Sequence, residues 1–123
     1  MKYTHYAPKA PLKLVEGGIE ALRRVVNQSK GEGLHVGAFL YRGDGDKTDT
    51  LAETEVGADV LLYCGENGDV ESIGRELYGM LRDFDQTKVD VIYGCILPSD
   101  LKEGLGMAVM NRMLKAASEV IGS

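Results

Sequence analysis

Apolar runs of strand length alternate along this chain with apolar stripes of helical period, and that alternation restricts its fold more than any other feature. "VLLYCG" (60–65) and "VDVIYGCIL" (89–97) are nearly continuous in apolar residues. Between them Val70, Ile73, Leu77, Met80, Leu81 and Phe84 trace one helical stripe, and Asp69 stands where an N-cap belongs. Strands this apolar throughout are the ones covered on both faces of a sheet. The first half repeats the unit. Leu12, Leu14 and Val15 form a short strand stopped by Gly17 and Gly18, and Ile19, Leu22, Val25 and Val26 mark an amphipathic helix. That helix stops at "KGEG" and a second strand, "LHVGAFLY", follows. A last helix carries Leu105, Val109, Met113, Ala116, Ala117 and Val120 on its inner side. The order β-α-β-loop-β-α-β-α predicts an α/β domain with an open, mainly parallel sheet and right-handed crossovers.

A length of 123 residues suits one domain with a real core. Fourteen basic residues against nineteen acidic ones give a net charge of −5, which excludes a dedicated nucleic-acid binder. Arg23, Arg24 and Lys30 therefore read as a solvated helix face. No apolar run approaches the ~20 residues of a membrane span, and the N-terminus lacks the apolar stretch of a secretory signal. A cytoplasmic location is expected. Cys64 and Cys95 belong to no metal-type or redox spacing and read as buried thiols, so no metal site is expected.

Candidate chemistry is sparse. Gly104 and Gly106 open the last helix, where backbone amides can bind phosphate, but Val109 stands in the place of the third glycine of G-x-G-x-x-G. Close packing of a helix start explains the same glycines. Asp44 and Asp46 in "RGDGDKTDTLAE", with a later Glu55, approach the spacing of a calcium loop, yet Thr48 and Asp49 fill its fifth and sixth positions and the match is poor. A solvated acidic loop is the reading, and Arg42-Gly43-Asp44 is a turn. His35 reads as a hydrogen-bonded strand residue. Asn111, Arg112 and Lys115 form either a polar helix face or a partner surface. No catalytic set can be assembled from spacing.

Residues 1–11 stand apart, with "KYTHYAPKAP" holding two tyrosines, a histidine and two lysines beside two prolines. Pro8 and Pro11 stiffen this leader and push Ala7 and Ala10 towards extended backbone. The segment "MKYTHYAPKAPLKLVEG" resembles the linker of the two-domain threonylcarbamoyl-AMP synthase family as it enters that family's C-terminal accessory domain. "ESIGRELYGMLRDFD" and "GLGMAVMNRMLKAA" are similar to the middle and last helices of that domain, so the resemblance spans the chain.

The resemblance implies a linker over residues 1–11 and a single Rossmann-like, three-layer accessory domain over 12–123. It implies a parent nucleotidyltransferase that makes threonylcarbamoyl-AMP and pyrophosphate from ATP (with magnesium), L-threonine and bicarbonate, for tRNA modification. Catalysis would reside in an N-terminal YrdC-like domain preceding Met1, and nothing here matches that domain. The chain is expected to be a domain cut at a linker methionine or the remnant of a split gene, inactive by itself. Lys2, Tyr3, His5, Tyr6 and Pro8 match the linker segment that closes the nucleotide and threonine pocket. Direct contact with tRNA or membrane is not expected. A free-standing nucleotide-binding or protein-interaction module remains the alternative.

Overall fold

The computed structural model describes residues 8–42, 57–66, 69–96 and 104–122. Strand β1 (Leu12–Val15) leads into helix α1 (Gly18–Gly31) and strand β2 (Val36–Arg42). Strand β3 (Val60–Glu66), helix α2 (Val70–Phe84) and strand β4 (Val91–Cys95) follow. Helix α3 (Leu105–Ala116) and strand β5 (Glu119–Ile121) close the chain. The five strands form one sheet in the order β3-β2-β4-β1-β5, and every pair is parallel.

Side-chain alternation divides the sheet into two faces. Gly37 and Phe39 turn towards α2, since a Cβ on Gly37 would lie 2.7 Å from the Phe84 ring. Tyr93 turns the other way, and its phenol meets the buried Ser29 hydroxyl of α1 at 2.7 Å. α3 packs beside α2, where Val109 lies against Gly74. The result is a three-layer α/β/α domain. Leu12, Leu14, Leu22, Val26, Phe39, Leu40, Ile73, Leu77, Leu81, Phe84, Ile92 and Met113 are among its fully buried side chains.

The α2 stripe predicted from spacing is the packed one, and Asp69 caps the helix by accepting from the Ser72 N–H at 3.3 Å. The last helix ends sooner than its apolar spacing predicts. Ala117 adopts extended backbone (φ −86°, ψ 145°), and the Ser118 N–H donates to the Leu12 carbonyl at 2.8 Å. Glu119, Val120 and Ile121 then pair with Lys13, Leu14 and Val15. Val120, expected on the inner side of a helix, is thus an edge-strand residue, 42% exposed. The parallel partnership with β1, a long-range contact, overrides the local helical pattern. β3 is the other edge, so Val60 to Tyr63 are only half-buried despite their continuous apolarity. The stretch 43–56, read as an acidic loop that holds Asp44, Asp46, Thr48, Asp49 and Glu55, lies outside the described residues.

Position 94 calls for glycine, because a Cβ there would lie 2.1 Å from the Phe39 ring. Gly94→Ala is expected to destabilise the domain by about 1–3 kcal/mol in urea titration, the usual cost of overpacking. Gly31→Ala, at a helical position with open space around it, should instead gain up to about 1 kcal/mol.

Candidate functional site

Two ends of the sheet are candidates, and they differ in chemistry. At the carboxyl ends of the strands, β2 continues outwards to β3 while β4 continues through α3 to β5 on the other side. The topological switch point therefore lies between β2 and β4, where open α/β sheets receive ligands. Here the Tyr41 hydroxyl donates to the Cys95 carbonyl at 2.6 Å, and Tyr41 is 3% exposed. A protein phenol thus occupies that carbonyl at the crevice.

One strand further out, Arg42 carries three carboxylate contacts. Its Nε reaches Glu66 at 2.8 Å, and its terminal nitrogens reach the two Glu76 oxygens at 3.0 and 2.6 Å. Glu76 also accepts from the Gly65 N–H at 3.1 Å. The carboxylates raise the Arg42 pKa further, Glu76 contributing most and Glu66 next. The guanidinium in turn holds the Glu76 carboxyl below its usual range, with the Gly65 N–H adding to the effect. Arg42 is spent within the protein, as a clamp between the β2 and β3 ends and α2. Gly65, near the end of β3, passes beneath it with φ 72°, where a Cβ would sit 2.5 Å from the Ile73 backbone. Burial pushes the Cys64 thiol up to about 12; it stays protonated at neutral pH and is no nucleophile.

The predicted phosphate glycines are at this same end. Gly104 is the exposed N-cap of α3 (φ 58°, ψ −121°) with open space where a Cβ would stand. Gly106 is buried in the first turn. At position 104 the positive φ itself favours glycine. Asn111 and Lys115 are exposed on α3, and the Arg112 guanidinium lies about 3.6 Å from where a Gly74 Cβ would be. Among the described residues no group of His, Cys, Asp and Glu is arranged to hold a metal.

The opposite, amino-terminal end of the strands receives the leader. Lys2, Tyr3, His5 and Tyr6 lie outside the described residues, while Pro8 is half-buried. The Lys9 N–H donates to Asp85 Oδ1 at 2.9 Å, just past α2, and the Pro11 carbonyl accepts from the Ile92 N–H at 2.9 Å. Beside this anchor, carboxylates cap strand starts: Asp59 accepts from the Val36 N–H and Asp90 from the His35 N–H, each at 2.8 Å. The Val36 N–H is the main reason the Asp59 carboxyl titrates below its usual range, with help from Lys30. His35 itself is exposed at the start of β2. Sequence spacing gives no sign of these caps or of the Arg42 clamp, because each joins residues distant in the chain.

The structure is thus an all-parallel, three-layer α/β domain with residues 8–11 lying along its strand starts. The chain matches the family described as "Threonylcarbamoyl-AMP synthase, C-terminal domain" over residues 1–118, and it belongs to that family. It is 37% identical over 117 residues to the threonylcarbamoyl-AMP synthase of Bacillus subtilis, covering 95% of this chain and 31% of that protein. The Pyrococcus abyssi synthase is 37% identical over 118 residues, again with 95% and 31% covered. The chain thus spans about a third of the length of the curated relatives it matches. Its fold superposes on P. abyssi Sua5 crystallised with L-threonine, with a TM-score of 0.71 at 35% identity, covering 100% of this chain and 33% of that one. The isolated C-terminal Sua5 domain from Pyrococcus horikoshii gives a TM-score of 0.63 at 26% identity, covering 95% and 100%. Among the described residues no helix is long and apolar enough to cross a membrane.

The Glu76 carboxyl titrates lower when folded, so the stability it adds is complete above the unfolded glutamate pKa of about 4.3 and is lost as pH falls through the folded value. Glu76→Gln should therefore lower Tm at pH 7, and the difference from the parent should shrink as the pH falls below about 4.3 and on through the folded value. Thermal melts across that range check this.

Proposed function

We propose that this chain is the non-catalytic accessory domain, with the end of the interdomain linker, of an L-threonylcarbamoyladenylate synthase acting in tRNA modification. The match to the C-terminal third of such synthases carries the reading. The reaction joins ATP, L-threonine and bicarbonate into threonylcarbamoyl-AMP and pyrophosphate, with magnesium accompanying the ATP, and its chemistry belongs to a YrdC-like domain ahead of the leader. ATP and threonine are substrates of that domain, so this chain needs no cofactor of its own.

In this reading Lys2, Tyr3, His5, Tyr6 and Pro8 form the lid over the partner domain's pocket. Lys2 supplies a cation for phosphate, while Tyr6 and His5 supply hydrogen-bond donors. A form of P. abyssi Sua5 with an adjacent histidine and tyrosine both changed to alanine superposes on this chain with a TM-score of 0.70. His5–Tyr6 is the one such pair in this sequence, which supports giving the pair a role. The role of the folded domain is to hold the root of the lid. The Lys9–Asp85 hydrogen bond and the Pro11–Ile92 pairing fix where the leader departs, and a fixed hinge sets what a lid can reach.

The test is pyrophosphate release from ATP, L-threonine and bicarbonate. The chain alone should show no turnover, and robust turnover would overturn the non-catalytic reading. Joined at Met1 to the N-terminal two thirds of the B. subtilis relative, it should yield an active protein. His5→Ala with Tyr6→Ala should then cut the rate by about 100-fold, the scale of losing positioned transition-state contacts. An unchanged rate would remove the lid role.

A further inference from the structure

At the β5 side of the sheet an open strand edge lies beneath an apolar flank of α3. β5 pairs with β1 on one side and with no described strand on the other. The Glu16 N–H donates to the Ile121 carbonyl at 2.9 Å, so Ile121 turns its polar backbone groups towards β1. Peptide groups alternate sides along a strand, and Val120 therefore presents its N–H and C=O outwards. The Val120 side chain lies on the face that α2 and α3 cover. It is in register with Leu14, and Leu14 is in register with Gly94, which meets the Phe39 ring on that face.

α3 completes the flank. Its Val109 and Arg112 lie against Gly74 of α2. Met107, Asn111 and Leu114 stand roughly 140° to 200° round the helix from Val109, on the side away from α2. The helix joins β4 to β5 across β1, so that side overhangs the β5 edge. Met107, Leu114 and Val120 are 50%, 42% and 42% exposed, and they are three of the four exposed large apolar residues among those described. Exposed apolar surface gathered in one place marks an interaction site.

We propose that this edge, formed by β5 and the Met107–Leu114 flank of α3, pairs with the same edge of a second copy of the chain. The inference goes beyond the synthase reading and does not depend on it. Charge selects the occupant. Met107, Asn111, Leu114 and Val120 carry no charge, while Arg112 and Lys115 lie on the solvent side between the strip and α2. Glu119 is paired with Lys13 at 3.5 Å. A strongly acidic or basic partner finds no counter-charge on the strip, whereas two copies of this acidic chain meet there without opposing like charges. Antiparallel pairing about a twofold axis at Val120 exchanges the outward N–H and C=O of the two copies and sets Glu119 opposite Ile121. The same axis keeps both α3 helices on one face of the joined sheets. Met107 and Leu114 of one copy then approach those of the other, the self-complementarity of an isologous contact.

Analytical ultracentrifugation of the chain tests this. So small a contact is weak, with an expected Kd on the order of 100 µM. The mass should rise from 13.3 kDa towards twice that value as concentration increases from about 10 to 500 µM. Leu114→Asp should weaken association by about tenfold or more, whereas Leu34→Asp, exposed ahead of β2, should leave it unchanged. Val120→Cys should give a disulfide-linked dimer on air oxidation, because hydrogen-bonded antiparallel partners stand about 5.5 Å apart at Cα. Leu34→Cys should give none. A chain that stays monomeric at the highest concentration leaves the edge to a different protein and overturns the proposal. A dimer that Leu114→Asp does not weaken overturns it too. Should the Leu114 variant fail to fold, the Val120→Cys cross-link decides, and its absence overturns the pairing.

Discussion

Two missing Cβ atoms hold this domain together. The Phe39 ring lies where a Gly94 side chain would be, and the Phe84 ring lies 2.7 Å from where a Gly37 Cβ would be. Each aromatic side chain enters a hole in the central strands, with Phe39 closing the β2–β4 contact and Phe84 pressing the end of α2 onto β2. In a close-packed interior such fits leave little freedom to slide. The carboxyl end of α2 is thereby fixed, and with it Asp85, whose carboxylate receives the Lys9 amide. The exit of the leader depends on glycines in the sheet that never touch it.

The amino end of α2 is set by a different kind of contact. Asp69 caps it, Ser72 Oγ accepts from the Glu66 N–H at 2.8 Å, and Glu76 binds Arg42 and the Gly65 amide. Gly65 makes the approach possible through its positive φ and its lack of a side chain. Packing anchors one end of the helix and directed hydrogen bonds anchor the other. Charge-assisted bonds specify direction, whereas ring insertion specifies depth. Together they leave α2 one position on the sheet.

Periodic features were legible in the sequence. The α2 stripe from Val70 to Phe84, the Asp69 cap and the parallel α/β class follow from local spacing, because helix amphipathicity and strand apolarity are set by neighbours along the chain. β5 was not legible: three residues after Ser118 become a strand only because the β1 edge is open to them. The half-exposure of β3 was equally hidden, since strand order depends on crossover paths and not on composition. At the candidate sites the glycines at 104 and 106 were visible, but the positive φ that favours glycine at 104 was not. Neither was Arg42's engagement, which joins β2 to residues 24 and 34 positions away. The leader's motif was legible through family resemblance alone, for spacing makes it only a stiff aromatic tail.

The helix that carries both anchors also spans the distance between the two ends of the sheet. In its first half, Glu76 meets Arg42, the last residue of β2; at its finish, Asp85 meets Lys9 at the root of the leader. A rigid element pinned at both ends transmits displacement without needing a chain of intermediate contacts, provided its own packing has two discrete positions. Phe84 against Gly37 offers one position: a ring seated in a glycine gap cannot shift by a fraction of an ångström without leaving it. The domain is therefore built as a stiff mount. The root of the leader at Lys9 is thereby held in a fixed position relative to Arg42 at the other end of the sheet.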